Sequence, residues 1–380
     1  MDLALPRVTR SPYLVELIAD AERLAAVVSG APETARQAAR EPLQSTSALH
    51  TCQLDGSPMT HVPDLGVTIA DLDPAALRDG TGLSLPAATD DGEAAEPAGW
   101  LELLARHGRD LEDVPDEAIT TLEYVGARAA LASDDLVEGL FADTERTLAT
   151  LHTRLTRGLV EPEAAGALRA TDQAVHDGAS GRILYFPVEP RDVPARLAVL
   201  GGWLQTAGAR EHALVVSGVV HVTLLDVHPF EAANGRLARA AARLLLRARG
   251  LDPDALAQVD AALARDPLGY QEEVARTRRR RDTTVWLERW GEAVVAGLRE
   301  AARHLDALDT AVPDRAEAFV SGRAPTADGG AGTTFTVADY RADVGVGPEE
   351  ARADLAALLD AGRVARAPGA RGLRFDTVRG

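Results

Sequence analysis

Apolar residues recur at the spacing of a helix face through much of this chain, and this periodicity constrains the fold more than any other feature. Segments 117–132 and 135–158 carry apolar residues at positions i, i+3 and i+4, which places them on one side of an α-helix. Residues 14–40 also indicate a helix, with a break near the Ser-Gly-Ala-Pro sequence at 29–32. Alanine and leucine dominate while aromatic residues make up only 4% of the chain, a composition that favours helices. We therefore predict a mainly α-helical fold.

Length, charge and cysteine usage exclude several classes of protein. A chain of 380 residues is long enough for two or three domains. Its net charge of −18 argues against binding nucleic acid or an anionic membrane over the whole surface. Cys52 is the only cysteine, which excludes an intrachain disulfide and a cysteine-based metal site. The N-terminus has no secretory apolar segment, and the longest apolar run is too short to span a bilayer. We expect a cytoplasmic protein with no membrane partner.

Two stretches in the middle of the chain depart from the helical pattern. The run ALVVSGVVHVTLL at 213–225 is rich in valine, so local propensity favours a strand. Periodicity does not separate a buried strand from a buried helix here, and both remain open. Residues 166–194 contain Gly, Asp and Ser clusters around RILYF at 182–186. This pattern predicts an extended hairpin, or flap, on a helical body.

The C-terminal residues 312–380 have the pattern of a separate small domain. A short helix, a Gly-Val-Gly-Pro turn and a second helix precede two short strands that flank a Pro-Gly turn, which is a winged-helix pattern. The second helix opens with Glu349 and Glu350, whose charges repel DNA phosphates. We expect an interaction or packing module rather than a strong DNA reader.

The segment HPFEAANGRLAR at 228–239 has the composition of an anion site. A helix that begins near Asn234 leaves unpaired N–H groups at the positive end of its dipole. Small residues there let a ligand, phosphate above all, approach the backbone. Arg236 and Arg239 lie on one face, where cations cost about 0.3–1 kcal/mol against the dipole. They therefore require an anion, either carboxylates of this acidic chain or a bound phosphate. His228, taken alone, fits a buried structural histidine as well as a site residue.

Taken together, these residues resemble the active-site motif of the Fic (Fic/Doc) family. That motif reads His-Pro-Phe, any residue, Asp or Glu, Gly or Ala, Asn, Gly, Arg, any two residues, Arg. The positions of this sequence that match it are His228, Pro229, Phe230, Ala233, Asn234, Gly235, Arg236 and Arg239. His221, residues 166–169, residues 117–126 and Trp286–Leu287 also resemble family features, so that the likeness covers about residues 10–310.

The resemblance implies a fold and a domain order. It implies a Fic-type helical bundle with a β-hairpin flap, followed by the small winged helix. An N-terminal helical segment with an inhibitory motif and a mobile loop would occupy 1–99, the Fic core 100–310, and the winged-helix domain 312–380.

In the family, the usual reaction moves AMP from ATP to a Ser, Thr or Tyr hydroxyl of a target protein. Carried over, His228 would be the general base. The phosphates of ATP would be held by Ala233, Asn234, Gly235, Arg236 and Arg239, and a target protein would dock on the flap residues Ile183, Leu184, Tyr185 and Phe186. The implied partners are thus ATP or another nucleotide and a target protein. The winged helix is an added surface for DNA or protein, and a homodimer is a further option.

The sequence departs from the family motif at Ala232. Family members carry an acid there that holds Mg²⁺ against the phosphates, and alanine cannot ligate a metal. Glu231, one residue earlier, is the candidate Mg²⁺ ligand, since Mg²⁺ prefers carboxylate oxygens. Three functions remain open: AMP transfer with Mg²⁺ and ATP, a catalytically weakened nucleotide-binding regulator that works through its winged helix, and a Fic transferase with a different phosphate-containing donor.

A second family feature lies near the N-terminus. Many members carry an inhibitory helix with Ser or Thr, three residues, Glu, then Gly or Asn, whose Glu pairs with the second arginine of the motif. Thr51, Asp55 and Gly56 resemble it, with Asp in place of Glu and Arg239 as the expected partner. The alternative is an N-capped loop in which Asp55 and Gly56 form only a turn.

Overall fold

The computed structural model describes residues 5, 8–63, 116–176, 183–310, 313–323, 334–360, 362–367 and 374–377. The loop expected at 79–99 lies outside these residues. The chain divides into two compact units, Met1–Ala302 and Arg303–Gly380, so the N-terminal helices belong to the same unit as the motif. Within the described ranges, no helix combines the length and the apolar character that crossing a membrane needs.

The first unit begins with two helices, α1 (Pro12–Gly30) and α2 (Glu33–Leu54), separated at the break that the sequence predicts. Ser11 caps α1 by accepting a hydrogen bond from the Leu14 backbone N–H, as N-cap residues do. The C-terminal half of α2 packs against α3 (Asp116–Leu131). The cluster between them contains Ala48, Leu49, Cys52, Tyr124, Ala127 and Leu131. This packing places the last turn of α2 inside the unit.

The prediction of a single helix at 135–158 is wrong. A 3₁₀ turn (Asp134–Leu136), a short helix α4 (Gly139–Ala142) and α5 (Thr144–Leu155) occupy this stretch. The chain breaks at Asp143, which is extended and whose side chain accepts the Arg146 N–H as the N-cap of α5. A competing N-cap therefore overrides the continuous apolar phase, because Asp satisfies free N–H groups best at a helix start.

The predicted flap is a two-stranded antiparallel hairpin of β1 (Val175–His176) and β2 (Ile183–Tyr185). Helix α6 (Val193–Gln205) follows it. The valine-rich run then forms a helix, α7 (Ala213–Val227), and not a strand. Nearly all of its side chains are buried, so tertiary packing decides the conformation over propensity.

Packing around α7 is close. A Cβ at Gly218 would lie 2.7 Å from Leu287 and 2.8 Å from Trp290. The indole nitrogen of Trp286 donates to the Gly218 carbonyl at 2.7 Å. Helix α8 (Asn234–Ala248) packs along α7, and three further helices complete the unit: α9 (Val259–Leu263), α10 (Pro267–Arg280) and α11 (Thr284–Thr310). The sequence of residues 266–308 predicts these last two helices around the basic run 278–281, and α11 belongs to this unit as far as Ala302. The motif is thus the loop between two buried helices.

The second unit contains α12 (Asp314–Ser321), β3 (Thr334–Thr336), α13 (Val337–Val344), α14 (Pro348–Asp360), β4 (Val364–Arg366) and β5 (Arg374–Thr377). The antiparallel sheet has the order β3-β5-β4. Both predicted helices and both predicted strands are present, while β3 was not foreseen. A buried Asp354 accepts from Arg315 at 2.7 Å and from the Tyr340 hydroxyl at 2.6 Å. The winged-helix assignment stays a prediction.

Candidate functional site

The motif loop begins where His228 ends α7. The backbone of His228 is left-handed, with a φ of 46°, and its N–H donates to the Leu224 carbonyl at 2.8 Å. Nδ1 of the imidazole lies 2.7 Å from the Leu225 carbonyl oxygen. Because a carbonyl only accepts, Nδ1 carries the proton and Nε2 is left as the basic nitrogen. Burial lowers the pKa of His228 below its ordinary value, so the ring is neutral near pH 7.

Phe230 and Asn234 hold the loop shape. The Phe230 ring is buried and stacks on His152, with ring centroids 4.1 Å apart. The Asn234 side chain accepts from the Phe230 N–H at 3.0 Å and donates to its carbonyl at 2.7 Å. Between them, Ala233 is the N-cap of α8 with a φ of 55° and no side-chain cap. The Asn234 side-chain amide thus positions the loop through Phe230.

Arg169 joins the motif loop to the flap. It is buried and donates to the carbonyls of His228, Thr171, Val188 and Val227. Its own N–H donates to the Pro229 carbonyl at 2.9 Å. One planar guanidinium therefore holds the motif loop at His228 and the segment after the flap at Val188.

Arg236 and Arg239 lie side by side on α8, and the end of α2 covers them. Arg239 donates to the Thr51 hydroxyl at 2.5 Å, to the Thr51 carbonyl at 2.8 Å and to Asp55 Oδ1 at 2.6 Å. Arg236 donates to Asp55 Oδ2 at 3.3 Å and to Glu123 at 2.8 Å. Its Nη1 is buried and has no hydrogen-bond partner. We refer to the surface formed by Gly235, Arg236 and Arg239, which Asp55 covers in this structure, as the anion site.

Asp55 occupies the space in front of the α8 N-terminus. A Cβ at Gly235 would lie 2.3 Å from Asp55 Oδ1, so only glycine fits here while Asp55 is in place. Burial alone would raise the pKa of Asp55, but the charges of Arg239 and Arg236 lower it. Asp55 also ends α2 next to Gly56, which has a φ of 96°. The turn alternative and the arginine-pairing alternative are therefore both present, since one residue does both.

Glu231, the expected metal ligand, is bound to the base of the flap. Its carboxylate accepts from the Ala170 N–H at 2.9 Å, from the Thr171 N–H at 3.2 Å and from the Thr171 hydroxyl at 2.7 Å. Ala232 supplies no ligand. In the part of the chain that the structure describes, no three His, Cys, Asp or Glu side chains are grouped as a metal site requires. Glu231 therefore anchors the flap in this structure, and its assignment to Mg²⁺ stays a prediction.

The flap lies beside His228. Tyr185 is buried, meets the His228 ring edge-on at a centroid distance of 6.3 Å, and donates to the Leu225 carbonyl at 3.2 Å. Ile183 and Phe186 are exposed, and Leu184 is half-buried. The four flap residues therefore do not share one role, because Tyr185 supports the histidine while the others face outward or partly outward.

Sequence reasoning missed two members of this region. Glu123 pairs with Arg236 across 113 positions, and Arg278 pairs with Asp226 across 52. No spacing rule connects residues so far apart. The unmatched positive charge of Arg236 was the available signal, since a buried arginine requires a carboxylate or a phosphate.

The chain is similar to known proteins in part of its sequence and in its fold. Residues 142–246 match the model of the Fic/DOC family. A Fic family protein from Desulfovibrio desulfuricans G20 is similar over 99% of both chains, at 19% identity and a TM-score of 0.56. A Fic domain containing signaling protein from Bacteroides thetaiotaomicron VPI-5482 shares 12% identity over 78% of this chain and 98% of that chain, with a TM-score of 0.48. The first of these supports a common fold.

Proposed function

We propose, from the match of residues 142–246 to the Fic/DOC family model, that this chain is a nucleotidyltransferase that moves AMP from ATP to a Ser, Thr or Tyr hydroxyl of a target protein. The observation that carries the proposal is the pairing of a neutral His228, whose Nε2 is the basic nitrogen, with the anion site on α8. A proton acceptor and a phosphate-binding surface in one loop are what such a transfer needs.

The proposed reaction is a single displacement at the α-phosphorus of ATP. Nε2 of His228 takes the proton of the target hydroxyl, and the hydroxyl oxygen attacks the α-phosphorus of ATP. The bond between the α-phosphorus and the bridging oxygen of the β-phosphate breaks, and pyrophosphate leaves. The low pKa of His228 keeps the acceptor form at neutral pH.

Binding of the nucleotide requires Asp55 to leave the anion site. Its carboxylate lies against Gly235 and neutralises Arg236 and Arg239, which are the residues that the phosphates would contact. Two anions do not share so small a space, because like charges repel strongly in a site with little water. The described conformation is thus the closed, inhibited form. Arg236 Nη1, buried without a partner, is a donor that a phosphate oxygen would satisfy.

No step in this proposal passes through a metal ion, because Ala232 supplies no ligand and Glu231 is hydrogen-bonded to Ala170 and Thr171. Charge on the phosphates would be balanced by Arg236, Arg239 and the N-terminus of α8. A second candidate function is favoured by the same observation: with Ala232 in place of the metal-binding acid, the chain would bind nucleotide without transferring AMP and act as a regulator.

The test uses ATP labelled at the α-phosphate and four forms of the full chain: wild type, Asp55→Ala, Asp55→Ala with His228→Ala, and Asp55→Ala with Ala232→Asp. The transferase predicts label on proteins with Asp55→Ala and its loss when His228 is also replaced. If Asp55→Ala binds ATP but labels no protein, and the added Ala232→Asp change restores labelling, the regulator is supported. If Asp55→Ala does not bind ATP, both nucleotide functions are wrong.

A further inference from the structure

A second basic site lies behind the motif loop. A partly open cavity of about 280 Å³ is lined by residues of α6, α7, the segment after the flap and the end of α10. None of its lining residues belongs to the anion site, so the two are separate. Asp226 and Val227, which form part of its wall, directly precede His228 in the chain.

Positive charge dominates this cavity. Its charged lining residues are four arginines and one carboxylate, namely Arg196, Arg278, Arg279, Arg281 and Asp226. Asp226 accepts a hydrogen bond from Arg278 and is thereby occupied. Over the described parts of the chain, neither Arg196 nor Arg279 forms an ion pair with a carboxylate. Among the described residues, the guanidinium groups of Arg196 and Arg279 are therefore not neutralised by a carboxylate.

Three buried polar atoms in the same cavity have no hydrogen-bond partner. They are the hydroxyls of Thr223 and Thr277 and Nε of Arg196. Thr223 is 5% exposed and Thr277 is 2% exposed, so bulk water does not reach these side chains freely. Buried polar groups are almost always paired in folded proteins. Three unpaired donors on one cavity indicate a missing acceptor.

We propose that this cavity binds a small phosphate monoester. Guanidinium groups match the oxygens of a phosphate in geometry and charge, and the two threonine hydroxyls supply further donors. Water would satisfy the hydroxyls but would leave the arginine charge unbalanced, whereas a dianionic phosphate meets both needs. Val188, Val222 and Val227 form the apolar part of the wall, which suits the short carbon portion of a monoester. A volume of about 280 Å³ lies at the lower end of the roughly 300–1,000 Å³ of ligand pockets, which suits a small ligand.

The test measures binding of sn-glycerol 3-phosphate to the full chain by calorimetry at constant ionic strength, with inorganic phosphate and sodium chloride in parallel. We expect saturable binding of the monoester at a ratio of one per chain. Arg279→Gln and Thr277→Val should each weaken it about tenfold or more. Arg280→Gln is the matched control, because Arg280 is exposed on the same helix and does not line the cavity.

Each other result overturns the proposal. Absence of monoester binding, or binding of inorganic phosphate alone, excludes the proposed ligand class. An equal loss with Arg280→Gln shows a general surface attraction rather than a site. Binding that Arg279→Gln and Thr277→Val leave unchanged places the ligand elsewhere, the anion site included. Arg279 is exposed, so its replacement keeps the fold and decides the matter even if Thr277→Val unfolds.

Discussion

Oδ1 of Asp55 accepts a hydrogen bond from Nη2 of Arg239 at 2.6 Å, across 184 positions of sequence. The contact joins the last turn of α2 to the first turns of α8. It also places a carboxylate where the motif would hold a phosphate. The closed form therefore depends on one short side chain that is attached to a helix end.

Removal of Asp55 should open the anion site. We expect Asp55→Ala to tighten ATP binding by about tenfold or more, measured by calorimetry. The same change should lower the free energy of unfolding by about 3–5 kcal/mol in the absence of ATP, because two buried arginines lose a counter-charge. Asp254→Ala, which removes a partner of Arg36 at 2.8 Å, is the control and should leave ATP affinity unchanged. An unaltered affinity in Asp55→Ala would contradict the closed-form interpretation.

Gly235 and Asp55 should be coupled in a double-mutant cycle. Gly235→Ala adds a Cβ 2.3 Å from Asp55 Oδ1 and should destabilise the protein by about 1–3 kcal/mol. In the Asp55→Ala background the clash is gone, and alanine is the better helix former, so the same change should be neutral or stabilising. Urea denaturation of the four forms measures the coupling. Additive effects would show that the two residues are not in contact.

Chelation should leave the wild-type protein unaffected. Because Glu231 is bound to the flap and Ala232 is no ligand, we expect the same melting temperature and ATP affinity with EDTA as with Mg²⁺. Glu231→Gln should instead lower the unfolding free energy by about 1 kcal/mol, since an amide replaces a charged acceptor of three hydrogen bonds. Ala232→Asp is the positive control, in which we expect Mg²⁺ to increase ATP affinity. A change in melting temperature or ATP affinity of the wild type with EDTA would instead support Glu231 as a metal ligand.

Acid should destabilise the first unit through His152. Burial lowers the pKa of His152 to about 4, and its Nδ1 accepts the Gly166 N–H at 2.9 Å. The folded-state pKa lies below the unfolded value near 6.5, so protonation favours unfolding. Stability is then retained above pH 6.5 and lost as the pH falls toward 4, by about 3 kcal/mol.

The measurement is urea denaturation from pH 7 to pH 4. His152→Gln should reduce the loss over this range, while His61→Gln, an exposed histidine, should not. Identical pH profiles for His152→Gln and wild type would exclude His152 as the source.

Local chemistry was predictable from the sequence, and long-range pairing was not. The sequence motif located the loop, the start of α8 and the histidine, because these features depend on neighbouring residues. The hairpin at Ile183–Tyr185 and the break between α1 and α2 followed from local turn residues in the same way.

Three outcomes depended on tertiary structure. The valine-rich run is a helix because Trp286 and Trp290 pack against it, which propensity does not record. Glu231 is an anchor because Thr171 happens to lie within reach. Glu123 reaches Arg236 only through the packing of α3 beside α8. Each required knowledge of which segments are neighbours in space.

The arginines of α8 are all matched by carboxylates in this state. Asp260 forms an ion pair with Arg243 at 3.1 Å, and Asp134 forms one with Arg247. Asp55 pairs with Arg239 in the same way. On binding, the phosphate of a nucleotide would therefore replace the carboxylate of Asp55 rather than bind to unpaired arginines. Its measured affinity would report the difference between phosphate and carboxylate at the same guanidinium, so a modest dissociation constant here is compatible with strong contacts in the bound state.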